Sequence, residues 1–182
     1  MKPYPTLWDG SVRFLGVRKE ERAVDTSNVA KLADHPKFTA LVTYVQPEFE
    51  ELQRRFPAYV NPDYKGKRFD PIERCKGVSK ENREVAFEYV HLDRDASTDE
   101  VLAEMDRKGL RPALYEELLS FAEKYPDEQR KYPIVALGSE ALVGGDRSVA
   151  CLWLDGDGRG LRLSWVDDGW GDHCRFLAVR KP

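Results

Sequence analysis

The chain is poor in the residues that staple small domains or build metal centres. It has three cysteines, Cys75, Cys151 and Cys174, with no C-x-x-C pair, and three histidines, His35, His91 and His173, none at ligand spacing from another. An odd cysteine count without paired spacing suits a reducing compartment without obligatory disulfides; Cys151 and Cys174 could pair if their strands lie side by side, but two buried thiols is the favoured reading. No apolar run approaches the roughly 20 residues a membrane-spanning helix needs. The opening "MKPYPTLWDG" lacks the apolar stretch of a signal peptide, so the expected location is cytoplasmic or virion-associated. Neither charge sign dominates: 34% of residues are charged, yet the net charge is only -3, which gives no global attraction to nucleic acid or to an anionic membrane. G-x-S-x-G, H-E-x-x-H and phosphate-loop patterns are all missing. His173 and Cys174 are adjacent, so on a strand they point to opposite faces and make no nucleophile–base pair. No catalytic residue, metal ligand or cofactor is therefore assigned.

Several segments have a clear element signature. "FTALVTYV" (38–45) is β-branched and aromatic, which predicts a strand. Pro47 and the glutamates after it predict a helix over "PEFEELQRRF". "PAYVNPDYKGKRFDPIERCKG" (57–77), rich in proline and glycine, is expected to be a long loop or linker. From Val85 the pattern is strand (85–92), then a capping box with Ser97 and Glu100, then a helix ended by Gly109. A second helix is expected with Pro112 at its first position and Glu116 and Glu117 suiting the positive end of its dipole, ending at Pro126. Four strands should follow at 133–139, 148–155, 160–167 and 173–180, with turns at Gly144-Gly145, Asp157-Gly158 and Asp168-Gly169. In the last strand Phe176 falls on one face and Leu177 and Val179 on the other, so both faces want cover. The fold class is α+β: strand, two helices, then antiparallel hairpins, behind an irregular extension. The expected division is 1–84 and 85–182.

The densest functional chemistry lies in "WLDGDGRGLRLSWVDDGWGDH". Tryptophan buries large area while keeping a polar handle, and aspartates beside aromatics suit sugars or basic peptide groups. The candidate ligand-binding set is Trp153, Asp155, Trp165, Asp167, Asp168, Trp170, Asp172, His173 and Arg175. Against this, Trp153 and Trp165 also read as core strand residues and the Asp-Gly pairs as turns. A calcium loop beginning at Asp155 fails, because its fifth position is Arg159 and its twelfth is Val166. A stretch from Tyr64 to Arg83 interleaves Lys65, Lys67, Arg68, Arg74 and Lys76 with Tyr64 and Phe69, and is the one candidate nucleic-acid patch; a solvated linker is the favoured reading.

The segments "STDEVLAEMDRKGLRPALYEELLSF", "ALGSE", "ACLWLDGDGRGLRLSW" and "CRFLAVRK" resemble, in pattern and order, the bacterial and phage branch of the C-type-lectin-like fold. The resemblance covers about residues 85–181. It implies a module whose first and last strands pair and which displays ligands near its C-terminus. The chain departs from the family in having too few cysteines for its disulfides and "RPAL" in place of an "RLPT" turn. The expected function is a non-enzymatic binding protein for a protein or glycan; an enzyme or toxin-like effector, or an assembly protein, are the alternatives. The closing "WGDHCRFLAVRK" is also echoed near the start by "WDGSVRFLGVRK", which reads either as the last strand of a preceding tandem module or as a strand in an equivalent site.

Overall fold

A computed structural model describes residues 38–181, within a compact unit that runs from Pro36 to Pro182. The expected extension before Phe38, including the phrase at 8–19, lies outside the described residues. The elements are β1 (Phe38–Val42), α1 (Phe49–Arg55), β2 (Tyr59–Val60), β3 (Asp70–Pro71), β4 (Arg83–Val90), α2 (Thr98–Arg107), β5 (Leu110–Pro112), α3 (Tyr115–Lys124), β6 (Ile134–Val143), β7 (Asp146–Asp155), β8 (Gly158–Trp165) and β9 (Arg175–Arg180). The chain is α+β. One sheet runs β1-β4-β9-β6-β7-β8-β2, with β3 added to β6 and β5 to β9.

Strand alternation divides the interior into two cores. Ile134, Ala136, Ala150, Leu152, Leu177 and Val179 face one side, with α3. Val135, Leu137, Val149, Cys151, Phe176 and Ala178 face the other, with α2. The period of two in β6, β7 and β9 thus demands cover on both faces, and each face receives a helix. β9 lies between β4 and β6, antiparallel to the first and parallel to the second, so the chain's last strand is central.

The capping box on α2 is present, with Ser97 Oγ accepting from Glu100 N and Glu100 reaching back to Ser97 N, and Gly109 follows the helix with φ of 69°. Other boundaries differ from expectation. α1 starts two residues after Pro47, with Glu48 as its cap. Pro112 does not open a helix. Arg111, restricted to extended geometry by the proline after it, lies instead in β5, which pairs with β9, and α3 begins at Tyr115. The β7–β8 turn is Gly156-Asp157, one residue earlier than Asp157-Gly158, because Gly156 takes the left-handed conformation and Asp155 pairs with Gly158.

The largest correction concerns 57–77. This segment is no solvated linker. Tyr64, Phe69 and Cys75 are buried, and Phe69 stacks between Tyr64 and Tyr115 at ring distances of 5.4 and 4.2 Å. The aromatics that looked available for stacking on bases are therefore consumed by the core, and β1 to Lys80 is built into the same compact unit as the later strands. Buried carboxylates on α3 hold the stretches on either side of this segment, and Gln46 in turn bonds both the N–H and the carbonyl of Phe69. Glu117 accepts two bonds from Arg111 (2.7 and 2.8 Å), one from Leu114 N (2.7 Å) and one from the Tyr44 hydroxyl (2.9 Å). Glu116 accepts from Gln46 and Lys80, both at 3.1 Å.

One irregularity shapes the surface. Ala136 pairs with Ala150 and Ala141 with Ser148, so Leu137–Glu140 of β6 stand opposite Val149 of β7. This wide bulge lets β3 add to β6 at Ser139 and Glu140 and brings Gly138 against the β5–α3 connection, where its N–H donates to Ala113 O (2.9 Å).

Candidate functional site

The loop joining β8 to β9 crosses the face of the sheet that carries α2. Its anchor is Trp170. The Trp170 N–H donates to Ala96 O (2.8 Å), and Ala96 N donates to Trp170 O (3.0 Å). The indole Nε1 donates to Thr98 Oγ1 (2.9 Å), the Thr98 hydroxyl donates to Val166 O (2.5 Å), and the ring meets Phe176 edge-on at 5.6 Å. Further along, the His91 Nε2–H donates to Asp172 O (2.6 Å), which fixes the tautomer of that ring, and Asp172 N donates to Asp95 Oδ1 (3.2 Å). Gly171 lies under the His173 imidazole, where a Cβ would come within 2.6 Å of Cε1.

The loop separates two cavities. The larger, about 1020 Å³, lies between Pro71–Lys76, the start of α2, the β6 bulge and the loop. Leu102, Leu137, Val149 and Val166 make it apolar below, and Asp95, Asp99, Glu140, Asp167 and Asp168 border it. The smaller, about 420 Å³, is lined by Trp153, Trp165, Trp170, His173, Cys151 and Cys174 among others. Asp168 through Gly171 border both.

The structure therefore brings together Trp153, Trp165, Asp167, Asp168, Trp170 and His173 of the candidate set. Their surroundings differ. Trp165 is 54% exposed and Trp170 only 7%. The Arg162 guanidinium covers Trp153 at 5.1 Å, and His173 meets its edge. Asp155, Asp172 and Arg175 border neither cavity. Asp155 pairs with Arg162 (3.0 Å), and Arg175 lies over the Tyr132 ring at 4.6 Å. Sequence reasoning missed Asp95, Asp99, Glu140 and Arg147. Asp95 lies just before the legible capping box and Asp99 within it, but nothing in "IVALGSEALV" announces a bulge except Gly138.

Charge is unevenly compensated around the larger cavity. Arg147 pairs with Asp167 (2.8 Å) and reaches Glu140 (3.8 Å), while Lys76 pairs with Glu73. Arg74 pairs with Asp106, outside the cavity lining. Glu100 is held down to about 2 by the Ser97 backbone N–H and by Arg94. Asp99 and Asp168 are exposed and have no ion-pair partner among the described residues. Burial pushes the Cys151 thiol up to about 12 and raises Cys174 too, so neither is a thiolate nucleophile at neutral pH. Among the described residues no group of three or more His, Cys, Asp or Glu is disposed to hold a metal, and no helix is long and apolar enough to cross a membrane.

No family model matches the chain, and no curated protein or solved structure matches it either.

Proposed function

We propose that this chain is a non-enzymatic binding protein whose recognition surface is the pair of cavities flanking Asp168–Gly171, built on a C-type-lectin-like module over about residues 85–181. The observation that carries the reading is that the end of β8 and the loop after it, pinned by Trp170, hold an exposed indole (Trp165) and an unpaired carboxylate (Asp168) at adjoining concavities. An aromatic anchor beside a preformed concavity is the usual form of a binding hot spot. The pairing of β4 with β9 supports the module, because it brings together the two ends of the segment that resembles that family. The ligand class is a protein or a glycan.

Labelled protein screened on peptide and glycan arrays tests the reading. A restricted set of ligands should bind, and Trp165→Ala and Asp168→Ala should each lose them at unchanged thermal stability. Ligands retained by both variants would place recognition elsewhere.

A further inference from the structure

We propose that the larger cavity is a docking groove for an extended segment of a partner protein that alternates basic and apolar side chains. The inference rests on the binding reading above and narrows its ligand. The cavity, about 1020 Å³, is at the upper end of preformed ligand sites, which suits several side chains rather than one small molecule. Its base is aliphatic: Leu102 from α2, Leu137 from the bulge, Val149 from β7 and Val166 from the loop. These four side chains are themselves buried, so the apolar surface removed from water on binding is chiefly that of the partner's aliphatic side chains.

The walls choose the charge. Seven lining side chains are carboxylates and three are cations. All three cations are engaged: Arg147 by Asp167 and Glu140, Lys76 by Glu73, and Arg74 by Asp106 outside the groove. The unspent negative charge stands on Asp99 of α2 and Asp168 of the loop, both in the groove lining. A strand-like segment with lysine or arginine on one side and aliphatic residues on the other presents complementary chemistry to these carboxylates and to the base. Nucleic acid is repelled by the same carboxylates. A glycan finds little stacking surface here, since the one aromatic in the lining, Trp170, is buried edge-on against Phe176.

The test uses the whole chain and a short fluorescein-labelled peptide of alternating Lys and Leu, with Glu–Leu and Lys–Ser peptides, a neutral oligosaccharide and an RNA oligomer as comparison probes. Asp99 and Asp168 are exposed and unpaired, so Asp99→Asn with Asp168→Asn should leave the fold intact, checked by the thermal midpoint. The Lys–Leu peptide should bind, weaken with salt, and lose roughly five- to tenfold in affinity to the double variant, the scale of two partly solvated charge contacts. The Lys–Ser and Glu–Leu peptides should both bind more weakly. The proposal is overturned if the Lys–Leu peptide does not bind, if the double variant binds it unchanged, or if Lys–Ser binds equally well. RNA binding tighter than the peptide also overturns it. Binding of the neutral oligosaccharide alone, lost in Trp165→Ala, would overturn the cationic-segment inference and leave the broader binding reading standing.

Discussion

Tryptophans that look equivalent in the sequence have opposite duties. Trp170 uses its backbone, its indole N–H and its ring to fasten the loop to α2 and β9, whereas Trp165 leaves more than half its surface in solvent. Trp170→Ala should therefore cost about 3–5 kcal/mol of stability, as large core truncations do, while Trp165→Ala should stay within about 0.5 kcal/mol, both read by denaturant unfolding. The density of Trp and Asp in 153–173 was legible from sequence; the division of labour was not, because it depends on Thr98 and Ala96, some 70 residues away. Glu117 carries a similar lesson. Its first-turn position suggests an exposed charge favoured by the helix dipole, but it is fully buried against Arg111. Removing one partner strands the other charge, so Glu117→Gln should destabilise by about 3 kcal/mol or more. A paired Arg111→Met, Glu117→Leu variant should recover part of that loss in the same unfolding assay.

At the level of elements, local signals were the readable ones. The Ser97–Glu100 box and the Gly109 terminator lie within α2's own sequence and appear as read. Glu100 titrates near 2 against an ordinary 4.5, so the charged form is favoured in the folded protein. Its stabilising contribution is complete above about pH 4.5 and is lost as pH falls through about 2. Thermal unfolding followed from pH 6 to pH 2 should show that Glu100→Gln flattens part of the acid-side decline. Elements set by distant partners were not readable. β5 exists because β9 offers it a neighbour, and the β6 bulge exists because β3 and the β5–α3 connection compete with β7 for the same residues. Gly138 is the pivot: a Cβ there would meet the backbone Ala113 O at 2.5 Å, an atom that no side-chain rotation can move away. Gly138→Ala should cost about 2–3 kcal/mol and lower the melting temperature by several degrees.

Across the whole molecule, the two-faced pattern of "CRFLAVRK" anticipated a central strand. Phe176 and Leu177 do belong to different cores. The α+β class followed from the order of elements. The fate of residues 57–77 did not, since proline, glycine and charge dominate that stretch and its core residues, Val60, Tyr64, Phe69 and Cys75, are widely spaced. The groove is likewise a product of the assembled fold, with walls drawn from segments near residues 72, 99, 140 and 168. Its role as the recognition surface is the central claim, and backbone amide shifts recorded while the Lys–Leu peptide is added test it most directly. The account predicts perturbations concentrated at Thr98–Leu102, Leu137–Glu140 and Val166–Gly171. Shifts centred instead on β1 and the segment from Tyr59 to Tyr64, with those three stretches unmoved, would contradict it.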